Sequence, residues 1–198
     1  MILDTTETYC VLGEECDILF NVRKRHFKTD KSELQEEIDV AKVILMCGKI
    51  CSGKSFYADS ICKNKSAVVL SVDEIMLAMF GQDAGEKHDD YVAALEKYLL
   101  KKSTEFVEAG IDVVMDIGLW TKAKRKAVRD FYSLRNIESE IHYLDISDTE
   151  WKKRIEKRND QVSGHQVSAY YIDEGLAKKA SHLFDKPDRS EVDVWVNC

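Results

Sequence analysis

Gly48-Lys49-Ile50-Cys51-Ser52-Gly53-Lys54-Ser55 is the stretch from which the rest of this chain can be read. It fits G-x-x-x-x-G-K-[ST], a loop that cradles nucleotide phosphates. Val43-Ile44-Leu45-Met46-Cys47 precedes it, an apolar run rich in strand formers. Phe56-Tyr57-Ala58-Asp59-Ser60-Ile61-Cys62 follows and reads as a first helix. Strand, glycine loop and helix is the setting the motif requires. Gly48 and Gly53 let the backbone approach an anion with no Cβ in the way. Successive N–H groups then form an anion-binding nest, and the helix beginning near Gly53 adds its positive dipole end. Lys54 reaches toward the β- and γ-phosphates, and Ser55 can place its hydroxyl on Mg²⁺. The expected phosphate contacts are Gly48, Lys49, Cys51, Ser52, Gly53, Lys54, Ser55 and Phe56. ATP is the expected nucleotide, with GTP as the alternative.

Outward from the loop, strands and helices alternate. Residues 67–72 read as a second strand ending at Asp73, with a short helix through Phe80. A long helix spans 89–109, a third strand 111–115, and a helix 122–134. A fourth strand covers 140–144, a charged helix 148–158, a polar stretch 159–168, a helix 169–183 and a last strand 192–196. Strands separated by helical patterns imply βαβ units and a parallel sheet with helices on both faces. Ligands of such sheets bind beyond the carboxyl ends of the strands, which places the loop, Asp73 and Asp116 along one rim.

Residues 1–40 read differently. Short strand candidates flank Gly13-Glu14-Glu15, and a short helix runs from Ser32. This segment is expected to be an accessory arm that packs on the core or joins two copies of the chain. The catalytic domain is expected over 41–198.

The net charge of −7, from 29 basic and 36 acidic residues, argues against a dedicated binder of long nucleic acid. It leaves room for a short strand end in a local pocket. No apolar run approaches the ~20 residues of a membrane span. The N-terminus lacks the basic start and apolar core of a secretory signal. Six cysteines form no Cys-x-x-Cys pair and read as reduced thiols of a cytoplasmic protein.

Several residues carry candidate chemistry. Asp73 can orient or deprotonate an acceptor hydroxyl near the γ-phosphate, or cap the helix that follows. Asp116, at the end of an apolar strand, can hold Mg²⁺ or contact the acceptor. Arg125 and Arg129 lie on a basic helix face that suits either an anionic acceptor or solvent. Arg154 and Arg158 stand one turn apart on the charged helix. With the polar stretch behind them, residues 148–168 read as a lid that brings arginine to the transferring phosphoryl group.

In the order Gly48–Ser55, Ser71-Val72-Asp73-Glu74, Asp116 and Arg154–Asn159, the chain from about residue 42 to 197 resembles a group of small phosphate-loop kinases. The group includes zeta toxins, chloramphenicol phosphotransferases and the 5′-hydroxyl kinase domain of polynucleotide kinases. The resemblance implies a P-loop NTPase fold with a five-stranded parallel sheet of order 2-3-1-4-5 and a helical lid. It implies ATP-dependent transfer to a hydroxyl, with Asp73 as base and Arg154 or Arg158 as lid arginine. It also implies purine contacts near the last strand, around Arg189. Where polynucleotide kinases often carry an arginine after the aspartate, this chain has Glu74-Ile75-Met76. A small-molecule acceptor is therefore the leading expectation. A polynucleotide 5′-hydroxyl and an ATP-driven switch without an acceptor are the alternatives.

Overall fold

The computed structural model describes residues 40–198. The expected arm at 1–40, with its role in pairing two copies, lies almost wholly outside the described residues. Five strands form one sheet: β1 (Val43–Cys47), β2 (Ala67–Ser71), β3 (Asp112–Asp116), β4 (Ser139–Asp145) and β5 (Val194–Asn197). All neighbours are parallel and the order is β2-β3-β1-β4-β5. The expected 2-3-1-4-5 arrangement is thus the observed one.

β1 lies in the middle, and each of its residues is buried. Successive side chains of a strand point to opposite faces. Val43, Leu45 and Cys47 accordingly join one core layer, with Val113, Met115, Ile141 and Tyr143. That layer is closed by α2 (Val72–Phe80), α3 (His88–Glu108) and α4 (Lys122–Ser133), through Met76, Leu99, Val128 and Tyr132. Ile44 and Met46 join Val114 and Leu144 on the other face, under Ala58 of α1 (Lys54–Asn64). Burial on both faces explains why β1 reads as an unbroken apolar run. Truncating a side chain such as Leu45 to Ala costs ~2–5 kcal/mol in a site of this kind. One polar pair sits inside the first layer, where Ser103 Oγ and Tyr132 Oη meet at 2.7 Å between α3 and α4. Burial pushes the Tyr132 phenol up to about 12, so it stays a neutral partner.

Two boundaries differ from expectation in ways that matter. The charged helix, α5 (Asp148–Ser163), runs five residues beyond 158. The helix expected over 169–183 begins only at α6 (Glu174–Leu183), with Asp173 as its N-cap, accepting from Leu176 N–H. Residues 169–172 form no helix, and the side-chain amides of Gln82, after α2, and Asn159, in α5, occupy backbone groups of Ala169, Tyr171 and Ile172 instead.

Candidate active site

The loop between β1 and α1 bends as its glycines demand. Gly48 has φ 153° and Gly53 φ 102°, and Cys51 between them also takes a positive φ of 58°. A Cβ on Gly48 would fall 2.6 Å from Ser52 Oγ and 3.1 Å from the Leu144 carbonyl. Ser52 is fully buried, and its hydroxyl has no hydrogen-bond partner among the described residues. A buried hydroxyl left unpaired costs free energy, so it suits a ligand oxygen delivered into the loop. Lys54 begins α1, and its Nζ donates to the Gly48 and Lys49 carbonyls at 3.2 Å each. Its ammonium is therefore already held over the mouth of the loop. Ser55 follows it at the helix N-terminus, where the dipole favours an anion. Phe56, expected to touch nucleotide, is 82% exposed in the first turn of α1.

The two acidic residues meet on the rim as expected. Asp116 is the last residue of β3 and pairs in register with Ser71, the last residue of β2. Asp73 lies two residues further on, in the first turn of α2. Capping of that helix falls to Ser71, whose hydroxyl accepts from Glu74 N–H at 3.3 Å. Asp73 is thereby left exposed and uncommitted at the site. Burial pushes the Asp116 carboxyl up; the Lys54 ammonium opposes this, and the Asp73 charge adds to it. The three groups therefore sense one another. A desolvated carboxylate beside another carboxylate is a place where a cation is stabilising. Ser55 and Asp116 fit a role as protein ligands of Mg²⁺, completed by phosphate oxygens and water. Among the described residues no cluster of three His, Cys, Asp or Glu forms a self-contained metal site.

α5 packs directly on the loop. Trp151 is buried, and its indole N–H donates to the Ile50 carbonyl at 2.7 Å. Lys49 lies 4.9 Å over the same ring and pairs with Asp148 at 2.7 Å. Arg154 donates from Nη1 to the Ser52 carbonyl at 2.9 Å and from Nε to Glu150 at 3.0 Å. Arg158 approaches Cys51 Sγ at 3.5 Å through Nη1, and its Nε is buried with no partner among the described residues. The sequence offered one clue to this docking, a single tryptophan in an otherwise charged helix. The carbonyls that Trp151 and Arg154 bind had no local signal.

Other expected residues are placed elsewhere. Arg125 is 1% exposed. Its Nε donates to Glu191 at 3.0 Å and its Nη1 to the Asp185 carbonyl at 2.9 Å, tying α4 to the chain before β5. Arg129 is bound to Asp193 and to the Glu191 carbonyl. These contacts give both arginines a place in the scaffold, so the expected anion-binding face on α4 is largely neutralised by acidic partners. Arg189 stacks over Trp195 of β5 at 3.9 Å.

The sheet order and the loop define a P-loop NTPase fold. The sequence profile described as "AAA domain" matches residues 43–179, and the chain belongs to that family. Three solved structures show the breadth of the likeness. The first is an unliganded sugar kinase from Janibacter sp. HTCC2649, 14% identical, with a TM-score of 0.56 over 79% of this chain and 85% of that one. Another is the Mycobacterium tuberculosis APS kinase CysC in complex with AMPPNP and APS, 18% identical, with a TM-score of 0.53 over 79% and 88%. A gluconokinase from Sinorhizobium meliloti 1021 is 15% identical, with a TM-score of 0.53 over 80% and 83%. At these identities the likeness establishes the fold. No curated protein matches the sequence.

Proposed function

We propose that the chain is an ATP-dependent kinase that transfers the γ-phosphoryl group to a hydroxyl of a small molecule. The observation that carries the reading is the convergence on one rim of three things: the phosphate loop with Lys54, the carboxylate pair Asp73 and Asp116, and the α5 arginines. The fold shared with solved small-molecule kinases supports it. In this reading the loop amides from Gly48 to Ser55 and the Ser52 hydroxyl receive the β- and γ-phosphates. Lys54 gives up its loop carbonyls for phosphate oxygens. Mg²⁺ held by Ser55 and Asp116 would neutralise phosphate charge.

Asp73 accepts a hydrogen bond from the acceptor hydroxyl and takes its proton as the new O–P bond forms. The bond from the γ-phosphorus to the β–γ bridging oxygen breaks, and ADP leaves. Of the two α5 arginines, Arg158 is the one free to act. Arg154 is committed to the Ser52 carbonyl and Glu150, so it clamps the loop. Arg158 has a guanidinium Nε with no partner and faces the loop at Cys51. It would stabilise the charge that spreads over the transferring oxygens. Among the described residues no helix is long and apolar enough to cross a membrane. The thiols of Cys47, Cys51, Cys62 and Cys198 are free, which fits a reducing cytoplasm.

The test is calorimetry with AMPPNP and Mg²⁺, followed by transfer of labelled γ-phosphate. Binding of AMPPNP is expected in the wild type, and Lys54→Ala is expected to abolish transfer with the fold retained. Near-normal transfer by Lys54→Ala would overturn the mechanism. Hydrolysis of ATP with no labelled acceptor would favour a nucleotide-driven switch instead.

A further inference from the structure

Arg158 owes its place over the phosphate loop to little that it touches itself. The hydrogen bond it makes among the described residues is to Cys51 Sγ at 3.5 Å, and sulfur is a weak acceptor. Its Nε is buried and, among the same residues, unpaired. A guanidinium N–H shut away from water without an acceptor costs free energy, so this side chain would gain by swinging out to solvent. What keeps it over the loop is the backbone of α5.

That backbone has little apolar anchorage. Trp151 is buried, and the residues after it in α5 are half-buried or exposed. Two polar grips flank Arg158 instead. One turn before it, Arg154 holds the Ser52 carbonyl at 2.9 Å. Immediately after it, Asn159 donates from Nδ2 to the Ile172 carbonyl and accepts from the Ile172 N–H through Oδ1, at 2.8 Å each. Two bonds of opposite sense to one residue fix the plane of the amide, and only an amide side chain supplies both.

The residue so gripped is itself fixed. Ile172 is 3% exposed, and its neighbour Asp173 caps α6. The other end of segment 169–172 is held by Gln82. Its side chain donates to the Ala169 carbonyl at 2.8 Å and accepts from the Tyr171 N–H at 3.0 Å. The two amides thus moor the C-terminal half of α5 to the start of α6 and to the turn after α2.

We propose that Asn159 is the positioning residue for Arg158, with Gln82 supporting it through segment 169–172. The inference rests on the kinase reading and adds a residue to its machinery. Arg158 meets the transferring phosphoryl group, and Asn159 acts by fixing the helix that carries Arg158.

The 198-residue protein is given labelled ATP and Mg²⁺, with a deproteinised yeast extract as the source of hydroxyl compounds. Label leaving ATP counts transfer to any hydroxyl, water included. Asn159→Ala is expected to lower kcat by about 10–10²-fold, the scale of effect when a catalytic group is displaced by roughly 1 Å. The KM for ATP and the AMPPNP affinity should stay within about twofold of wild type, because the interaction lost is one made in the transition state. Gln82→Ala, at an exposed side chain, should lower kcat in the same way but less. The deciding measurement is the double variant. If Asn159 works through Arg158, Asn159→Ala costs nothing further in an Arg158→Ala background. An equal fold-loss in both backgrounds, an unchanged kcat, or a loss confined to ATP binding would overturn the inference. Should thermal melting show Asn159→Ala to be unfolded, Gln82→Ala in the same two backgrounds decides by the same criteria. Those outcomes leave the kinase reading standing as long as the wild type is active. A wild type that binds no AMPPNP, or that releases no label from ATP, would remove the kinase reading and the inference with it.

Discussion

In α4, Arg125 and Arg129 stand one turn apart on a basic helix; in α5, Arg154 and Arg158 do the same. Read locally, the two helices are near equivalents. In the folded chain they part. The segment before β5 brings Glu191 and Asp193 onto α4, and both arginines become internal ties. Among the described residues α5 meets no such segment. It meets the phosphate loop, where the Ser52 carbonyl takes Arg154 and Arg158 reaches only Cys51 Sγ. The Nε of Arg158 has no partner among the described residues, as is also true of Arg125 Nη2 and Arg129 Nε, but neither α5 arginine is tied to a distant acidic residue. The fate of a surface-type arginine is thus set by which distant acidic residues the topology delivers to it.

The largest expected effect sharpens the α5 side. Arg158→Ala should lower kcat by about 10³-fold, the low end for an arginine that stabilises a transferring phosphoryl group. The melting temperature should hardly move. Arg154→Ala should act mainly on nucleotide binding, because it removes the clamp on the Ser52 carbonyl. Steady-state kinetics in ATP separates the two, and a larger kcat loss in Arg154→Ala than in Arg158→Ala would reverse their roles. Asp73→Asn belongs beside them. General-base loss typically costs ~10²–10⁴-fold in rate, with AMPPNP affinity unchanged.

On the α4 side the expected effect is on stability. Arg125→Ala leaves the mostly buried Glu191 only the exposed Lys122, 3.5 Å away, as a cation, and breaking such a buried pair costs ~3–5 kcal/mol. Denaturant unfolding should show this loss. A stable Arg125→Ala protein with impaired transfer would break the comparison and return Arg125 to the site. The same pair has a pH signature. Burial alone would raise the Glu191 carboxyl, but the Asp188 N–H and Arg125 outweigh it and hold it below the usual glutamate range. A depressed carboxyl contributes stability above its unfolded value and loses it as pH falls through the folded one. Glu191→Gln should therefore flatten the acid limb of the stability profile.

How much of this was legible in the sequence follows from range. The loop, its strand and its helix are contiguous, so residues 43–64 specify that unit locally. Asp116 at a strand end and Asp73 near one follow from the same local alternation, and the rule for parallel sheets brings them to one rim. Arg125 finds Glu191 across 66 residues, and no local pattern announces that pairing. The non-helical segment 169–172 is a similar case. Helical spacing was read through it, yet Gln82, far upstream, and Asn159 capture its backbone. One local signal was present, since Asp173-Glu174 is a helix start and marks where α6 begins. The tail of α5 looked like a polar loop because Asn159 and Asp160 are weak helix formers. Packing of Trp151 on the loop outweighs that propensity.

The smallest expected effect tests whether exposure alone separates scaffold pairs from bystanders. Lys122 sits at the start of α4 and pairs with Asp188 at 3.2 Å, both side chains being largely exposed at 65% and 72%, and more loosely with Glu191 at 3.5 Å. Two long side chains held together in water gain little Coulomb energy and lose rotamer freedom. Lys122→Ala should therefore change stability by less than about 0.5 kcal/mol. Arg129→Ala should fall between, below about 1 kcal/mol, because Arg129 and Asp193 are each about one-third exposed. The gradient from Arg125 through Arg129 to Lys122 would then follow solvent access along one helix. A Lys122→Ala loss equal to that of Arg125→Ala would mean that the acidic segment 185–193 acts as one cooperative clasp, and burial would no longer explain why α4 became scaffold.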